Sequence, residues 1–378
     1  MSDIYQESIK LHKKYKGKLE TNSKIKIKTT IDLSRAYTPG VAEISRIIFK
    51  NPTEAKKMTL KNNTIAVISD GSAILGLGNL GAKAAIPVME GKCILFKEFA
   101  GVDAFPICLD TQDTEEIIKT IKYIAPVFGG INLEDISAPR CFEIETRLKS
   151  ELDIPILHDD QHGTAVVTLA ALINAMKLIN ISKENIKIVI NGAGAAGVAT
   201  TKLFIQYGIK NIIVCDSKGA IYKGRNDLNQ EKQELADITN KQKQTGLLSD
   251  IIVGADVFFG VSKAGLLKPA MIKNMNTKPV IFAMANPIPE IMPELAKKAG
   301  AYIIATGRSD YPNQTNNVLA FPGLFRGALD NNITNFTDTI LIRVAKVLAN
   351  CVKNPSTNKI LPNPLDKSVV TKIAKAVY

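Results

Sequence analysis

Apolar residues in the first half of the chain follow helical spacing in some segments and form short uninterrupted runs in others. Thr114–Ala125 has apolar residues at 117, 118, 121, 124 and 125, which is the spacing of an amphipathic helix. Thr164–Leu178 is strongly apolar and predicts a helix that is buried on most sides and bridges two domains. The runs Thr64–Ser69 and Cys93–Phe96 predict short strands. Together these segments predict a mixed α/β fold.

The second half of the chain alternates short apolar runs with helical segments. The predicted strands are Lys187–Ile190, Asn211–Cys215, Ile251–Val253, Val280–Ala283 and Tyr302–Ala305. Helices fit between most of them, and this alternation predicts a doubly wound, Rossmann-type parallel sheet. A further helix is predicted at Thr337–Val352. We therefore expect an N-terminal mixed α/β domain of residues 1–162 and a Rossmann-type domain with C-terminal helices at residues 163–378.

Composition narrows the classes of protein that this chain can represent. The 378 residues are 46% hydrophobic, and no apolar run approaches the roughly 18 residues that a membrane span needs. The five cysteines are odd in number and lack CxxC spacing, which predicts free thiols in a reducing cytoplasm. The net charge of +12 comes from lysines spread along the chain, without a basic run interleaved with aromatic residues. We expect no nucleic-acid partner, and a positive field would help to attract a dicarboxylate.

A glycine motif follows the first strand of the second half. Asn191–Gly197 has the sequence NGAGAAG and precedes a helical run. Its first glycine permits a tight turn, its second lets the backbone approach a pyrophosphate, and its third lets the helix pack on its strand. Asp216 ends the next strand, 19 residues beyond Gly197. This spacing predicts a dinucleotide at the helix N-terminus, with contacts from Gly192, Ala193, Gly194, Ala195, Ala196, Gly197 and Asp216.

The choice between NAD and NADP depends on the residues around Asp216. A carboxylate at this position can accept the ribose hydroxyls of NAD and would repel the 2′-phosphate of NADP. Lys218, Lys223 and Arg225 follow closely and could hold that phosphate instead. The acid favours NAD slightly, and the three cations leave NADP open.

Two acidic pairs precede the glycine motif. Asp159 and Asp160 close the apolar run 154–157, and Glu134–Asp135 follows another short apolar stretch. Buried carboxylates are costly unless they are paired, so the pairs need a metal, a cationic partner or exposure to solvent. Ligation by Glu134, Asp135 and Asp160 fits Mg²⁺ or Mn²⁺. A divalent cation beside a nicotinamide predicts oxidative chemistry on a small hydroxy acid.

Histidine and asparagine residues near these motifs allow more than one interpretation. His158 and His162 flank the second acidic pair, but three histidines without paired cysteines make a zinc site an unfavourable interpretation. Asn286 follows a predicted strand, and Asn317 precedes the segment LAFPG. Such asparagines can face the ligand crevice of an α/β sheet or can simply serve turns. Tyr37, which precedes a Pro-Gly turn, would by itself be ordinary packing.

Eight ordered motifs make the chain resemble the malic enzyme family, specifically the short bacterial type. The motifs are AYTPGVA (36–42), DGSAILGLGNLG (70–81), PVMEGK (87–92), GGINLEDI (129–136), ILHDDQHGTA (156–165), NGAGAAG (191–197), ANPIPE (285–290) and NNVLAFPG (316–323). The resemblance implies oxidative decarboxylation of L-malate to pyruvate and CO₂, with reduction of NAD or NADP and a divalent cation. It also implies an N-terminal catalytic domain, and a homodimer or higher homo-oligomer.

By position, the resemblance assigns a role to each candidate residue. Tyr37 matches the general acid, Lys92 the general base, and Asp159 a carboxylate that supports the base. Glu134, Asp135 and Asp160 match the metal ligands. Lys92 also matches a substrate contact, Asn286 a contact to nicotinamide and substrate, and Asn317 a contact to substrate. Lys83 is the alternative base, and Lys92 is preferred because it lies in a matched motif.

The chain departs from larger malic enzymes in the segment Asp70–Ile74. Those enzymes carry there an arginine that grips a substrate carboxylate, whereas this chain has Ser72-Ala73, so another cation must take that role. Some relatives also have a fused phosphotransacetylase-like domain, and this chain could be the malic-enzyme part of such a protein. Two other functions stay open: a malolactic enzyme that releases lactate, and a non-catalytic nucleotide-binding module.

Overall fold

The computed structural model describes residues 4–378 and arranges them in two sheets flanked by helices. The strands β1–β10 are Thr64–Ser69, Asp103–Cys108, Gly130–Leu133, Ile156–His158, Lys187–Asn191, Asn211–Asp216, Gly219–Ala220, Val257–Gly260, Val280–Ala283 and Ile303–Thr306. The helices α1–α16 are Ile4–Tyr15, Thr30–Ala36, Val41–Lys50, Ala55–Met58, Ala82–Ala100, Thr114–Ile124, Arg140–Glu151, Asp159–Ile179, Ala195–Tyr207, Gln230–Ile238, Leu248–Ile251, Pro269–Lys273, Pro293–Lys298, Phe321–Asn331, Asp338–Asn350 and Ser368–Ala374. Residues 1–3, which fall in the predicted first domain, lie outside the described residues.

The first sheet has four parallel strands in the order β2-β1-β3-β4. Every residue of β1 is buried, because Ile65 and Val67 pack towards α5 while Ala66 and Ile68 pack towards α6 and α7. A continuous apolar run is the sequence pattern of a strand covered on both faces. Since parallel strands end at the same edge of a sheet, the residues after β3 and β4 lie next to each other.

The second sheet has six strands in the order β10-β9-β8-β5-β6-β7, and only β7 is antiparallel to its neighbour. The strand order reverses beside β5, with β6 on one side and β8 on the other. In such doubly wound sheets a crevice for ligands forms outside the carboxyl ends of the strands at this point. The prediction of a mixed α/β domain followed by a Rossmann-type domain is confirmed.

Helix α8 lies between the two sheets and belongs to the core of the molecule. It starts at Asp159, directly after β4, and packs against α9 and α15. The predicted domain boundary between 162 and 163 falls inside this helix. Among the described residues, α8 alone is long and apolar enough to cross a membrane, but 78% of its most apolar window is buried inside the protein. The apolar surface of α8 is therefore packed inside the protein core.

Two strand predictions are wrong. Cys93–Phe96 lies within the 19-residue helix α5, where Met89, Cys93 and Phe96 fall on one buried face. Ile251 ends helix α11, and the chain then turns at Gly254, which has φ +67°, before the strand β8 begins. Short apolar runs suit a buried helix as well as a buried strand, so their sequence alone did not distinguish the two.

The N-terminal segment, defined as residues 4–60, differs from the rest of the fold because it buries no residue. Its helices α1–α4 nevertheless carry exposed apolar side chains, among them Ile31, Leu33 and Phe49. Lys18 anchors the segment to α5 through its backbone N–H, which donates to Glu90 Oε2 at 3.2 Å, and its Nζ, which donates to Pro87 O at 2.6 Å. The segment therefore lies on the surface of its own chain.

Candidate active site

Three carboxylates converge where the first sheet ends. Glu134 and Asp135 follow β3, and Asp160 stands in the first turn of α8 after the neighbouring strand β4. One oxygen from each of the three residues lies within 4.8 Å of the others. Asp135 has φ 53°, a left-handed conformation that is uncommon for residues other than glycine, and its N–H donates to Asp160 Oδ2 at 2.8 Å. We call Glu134, Asp135 and Asp160 the acid cluster.

The electrostatics of the acid cluster favour a bound cation. Burial, together with the charges of Asp160 and Glu134, raises the pKa of Asp135 to about 9. Burial also raises the pKa of Glu134 to about 7, although Lys92 opposes this shift. Asp135 Oδ2 is buried and accepts no hydrogen bond within the described chain. Hard divalent cations such as Mg²⁺ and Mn²⁺ prefer oxygen ligands of this kind, so the residues fit the predicted metal.

Lys92 lies beside the acid cluster and forms two buried ion pairs. Its Nζ is 2.9 Å from Glu134 Oε1 and 2.6 Å from Asp159 Oδ2, and it stands 4.2 Å above the centre of the Phe321 ring. Burial disfavours the ammonium, but Asp159 and Glu134 outweigh it and raise the pKa of Lys92 above its usual value. The alternative base, Lys83, is exposed. The structure thus brings Lys92, Asp159 and the acid cluster together.

Asn317 and Asn286 occupy different parts of the site. Asn317 begins a short 3-10 turn before α14, and its Nδ2 donates to Asp159 Oδ2. Asn286 follows β9 in the second sheet, and its side chain packs against Gly307. The Asn286 carbonyl also packs against Gly76, where an added Cβ would come within 2.1 Å of that oxygen. Asn286 therefore lies where the glycine-rich segment 70–81, which follows β1, meets the second sheet.

The glycine motif has the geometry that a pyrophosphate requires. Gly192 has φ +125°, and an added Cβ there would come within 2.6 Å of Val261 O. At Gly197 an added Cβ would lie 1.8 Å from Gly192 O, so only glycine lets α9 pack this closely. A Cβ on Gly194, at the N-cap of α9, would meet no atom within 4 Å, which leaves open space at the helix N-terminus. These features fit the predicted dinucleotide.

Asp216 ends β6 as predicted, but its carboxylate is already paired. Arg225 lies 3.0 Å from Oδ1 and Lys232 2.8 Å from Oδ2. Burial opposes ionisation, yet the bonds from Lys232, from the Lys218 N–H and from Arg225 together lower the pKa of Asp216 below its ordinary value. The two cations offset the negative charge that would otherwise repel a 2′-phosphate.

Sequence reasoning missed several residues that shape the site. Gly163 lies against Asp159, where an added Cβ would fall 1.8 Å from Oδ1. Buried Glu290 accepts hydrogen bonds from Ser262 N and Ala285 N, both at 3.0 Å, and so joins the ends of β8 and β9. Buried Glu145 bonds to the start of α8. Glu290 lies in a matched motif, which was a usable signal, whereas the contacts of Gly163 and Glu145 depend on the folded chain.

Tyr37 is the one predicted catalytic residue that the structure leaves apart. It follows α2 in the N-terminal segment and is 67% exposed. No hydrogen bond, ion pair or ring contact within residues 4–378 joins it to Lys92 or to the acid cluster. The site in a single chain therefore holds the predicted base and metal ligands without the predicted acid.

Comparison with known proteins agrees with this arrangement. The family described as malic enzyme, N-terminal domain, matches residues 16–149, and the malic enzyme, NAD binding domain, matches residues 161–378. The bifunctional malic/malolactic enzyme of Bacillus subtilis is 54% identical over 99% of this chain and 92% of its own length. The NAD-dependent malic enzyme of Geobacillus stearothermophilus is 57% identical over 96% of this chain and 76% of its own length.

A solved structure extends the similarity to three dimensions. The crystal structure of the NAD-dependent malic enzyme of Thermotoga maritima is 47% identical in sequence. It covers 98% of each chain with a TM-score of 0.95. The two family matches together account for most of the chain, and they include every residue placed in the site above except Asp159 and Asp160, which fall between them. This chain belongs to the malic enzyme family.

Proposed function

We propose that this protein catalyses the oxidative decarboxylation of L-malate to pyruvate and CO₂, with reduction of NAD or NADP. The observation that carries the proposal is the position of Lys92 Nζ, buried between the carboxylates of Glu134 and Asp159 and beside the acid cluster. A buried amine beside a candidate cation site supports this reaction, because oxidation of a metal-chelated hydroxyl needs a group that accepts the hydroxyl proton. Identity of 57% to an NAD-dependent malic enzyme supports the same reaction.

Glu134, Asp135 and Asp160 would hold Mg²⁺ or Mn²⁺. When bound there, the cation would polarise the substrate oxygens as a Lewis acid and offset the acids that keep Lys92 charged. Lys92 acts in its neutral form: after the ammonium has lost a proton to solvent, Nζ accepts the hydroxyl proton of malate while hydride passes from C2 to the nicotinamide of NAD or NADP. Asp159 keeps Nζ in place, since it holds the amine at 2.6 Å and is itself held by Asn317.

Tyr37 is proposed as the acid that protonates C3 of enolpyruvate after decarboxylation. Its exposure and the absence of buried residues in the N-terminal segment support a site completed by a second copy of the chain. Exposed apolar residues such as Phe49 give this segment the surface of an interface rather than of a solvated arm. We therefore propose a homodimer or a higher homo-oligomer. The free cysteines within the described chain support a cytoplasmic location.

Both cofactors are compatible with the pairing of Asp216. The Geobacillus stearothermophilus relative is NAD-dependent, which supports a preference for NAD. Arg225 and Lys232 reduce the electrostatic barrier to the additional phosphate of NADP. We propose that NAD is preferred and that NADP is also accepted.

A second function, conversion of malate to lactate, is favoured by one observation. The Bacillus subtilis relative is a bifunctional malic/malolactic enzyme. In that reaction the reduced cofactor would be reoxidised on the protein and no net reduced cofactor would accumulate.

One assay separates these functions. Absorbance at 340 nm is followed with L-malate and Mn²⁺, in parallel with NAD and NADP, and pyruvate and lactate are measured afterwards. We expect reduced cofactor and pyruvate in equal amounts, with the faster rate in NAD. Lactate without accumulated reduced cofactor would favour the malolactic reaction. Absence of any product, with intact nucleotide binding, would favour the non-catalytic module.

A further inference from the structure

The junction between β4 and α8 carries two functional acids in consecutive positions. His158 ends the strand, Asp159 pairs with Lys92, and Asp160 belongs to the acid cluster. The helix start has no side-chain cap of its own from His158. The first N–H groups of the helix therefore lack a side-chain cap from the residue that precedes it.

Glu145, on α7, holds this junction with a single carboxylate. It is buried, and its Oε1 accepts from His158 N at 2.9 Å, while its Oε2 accepts from Gln161 Nε2 at 3.2 Å and from His162 Nε2 at 2.9 Å. Lys149 Nζ lies 2.8 Å from Oε1. The carboxylate therefore binds residues on both sides of the pair Asp159–Asp160.

The environment of Glu145 keeps it ionised. Burial opposes the charge, but His162 and Lys149 outweigh burial and hold the pKa of Glu145 well below its ordinary value. A negative charge near the N-terminus of α8 is also favoured by the helix dipole. Glu145 thus acts as a permanent acceptor for four donors.

A second contact extends this arrangement to Asp160. Gln161 Nε2, which donates to Glu145, also lies 3.1 Å from His158 Nδ1. An amide N–H at Nδ1 places the imidazole proton on Nε2. That atom lies 3.5 Å from Asp160 Oδ2, so the ring is in contact with Asp160 although the two form no hydrogen bond. His158 is completely buried, so a movement of its ring would also displace the residues that join β4 to α8.

We propose that Glu145 is a positioning residue that fixes Asp160 for the divalent cation and Asp159 for Lys92. This inference rests on the metal site of the proposed function. Side chains that orient metal ligands without touching the metal typically change metal affinity by about 10–100-fold when they are removed. Glu145 reaches Asp160 through Gln161 and His158, and touches neither the cation site nor Lys92 itself.

The test compares Glu145→Gln with Glu143→Gln. Glu143 lies on the same helix, is exposed, and bonds to Arg147. Binding of Mn²⁺ to the whole protein is measured by electron paramagnetic resonance of the free ion, and NADH binding is measured by fluorescence. For Glu145→Gln we expect Mn²⁺ binding about tenfold weaker with NADH binding nearly unchanged. Glu143→Gln should leave both constants at the wild-type values.

A separate variant keeps the test decisive if Glu145→Gln fails to fold. Gln161→Met removes the side-chain link between Glu145 and the imidazole ring of His158 without changing charge, and it should weaken Mn²⁺ binding several-fold. Unchanged Mn²⁺ affinity in the folded variants would overturn the proposal, as would an equal loss of Mn²⁺ and NADH binding. Wild-type protein that binds no Mn²⁺ would instead contradict the metal site of the proposed function, and the positioning role with it.

Discussion

Lys92 and Tyr37, the two residues proposed to move protons, lie in opposite environments. Lys92 is 7% exposed, with two carboxylates and an aromatic ring around its amine. Tyr37 is 67% exposed in a segment that buries no residue. The chain thus folds its own core around the proposed base and the proposed metal ligands, while the proposed acid lies on a surface. Under the proposed roles, this difference predicts that one copy binds the cation and that a second copy is needed to complete the reaction.

The largest effect is expected from Lys92→Ala, which tests the buried side of the comparison. Loss of the amine removes a general base, and general acid–base catalysis commonly contributes 10²–10⁴-fold, so kcat for malate oxidation should fall roughly a thousandfold. NADH binding should persist. Lys83→Ala, an exposed lysine near the start of the same helix, is the matched control and should retain activity. The reverse pattern between the two variants would transfer the role to Lys83.

Tyr37→Phe tests the role proposed for the exposed residue of the comparison. Malate oxidation should fall about a hundredfold because C3 loses its proton donor, while reduction of added oxaloacetate should be largely spared. Equal loss of both reactions would contradict a role confined to protonation.

Mixing the two variants sharpens the comparison further. If each site uses the tyrosine of a second copy, refolding Lys92→Ala with Tyr37→Phe in equal amounts makes half of the dimers mixed, each with one intact site. Malate oxidation should then recover to about a quarter of the wild-type rate. Without such exchange, every site lacks one residue and the mixture stays inactive. The measurement is the 340 nm rate before and after co-refolding.

A smaller effect is expected from Gly163→Ala, because the new methyl group would collide with Asp159. Such overpacking should lower the free energy of unfolding by about 1–3 kcal/mol and reduce malate oxidation by displacing the partner of Lys92. Gly91→Ala is the control, since α5 leaves room there and the nearest atom, Lys18 Nζ, lies at 3.7 Å. It should stabilise the protein by about 0.5–1 kcal/mol. Urea unfolding and the 340 nm assay distinguish the two.

The smallest expected effect concerns the surface of the N-terminal segment. Phe49 is 89% exposed, and Phe49→Lys should weaken self-association roughly tenfold if its ring is buried between copies. Tyr123→Lys, an exposed aromatic residue on α6 outside the segment, should not change it. Sedimentation velocity over a range of concentrations provides the measurement. An unchanged dissociation constant for Phe49→Lys would place the interface elsewhere.

The acid cluster was predictable because its residues directly follow apolar strands, and parallel strands bring their ends together. Asp216 was found by spacing alone, but its partner Lys232 was not. Lys232 lies in the first turn of α10, after β7 and a loop, and only the folded chain brings it back to the end of β6. The partnership of Glu145 with the start of α8 could not be predicted either, because no local pattern links it to His158. The surroundings of Tyr37 at the site could not be predicted either, because the proposed second copy of the chain would supply them.

Helix α8 makes one mechanical unit out of the two halves of the molecule. Its first turn carries Asp159 and Asp160, and its remaining turns fill the core beside α9 and α15. Neither sheet can open alone without exposing this helix to water. Backbone amides along α8 should therefore exchange hydrogen with solvent only when the whole protein unfolds, and a cation bound at its first turn should slow exchange throughout its length.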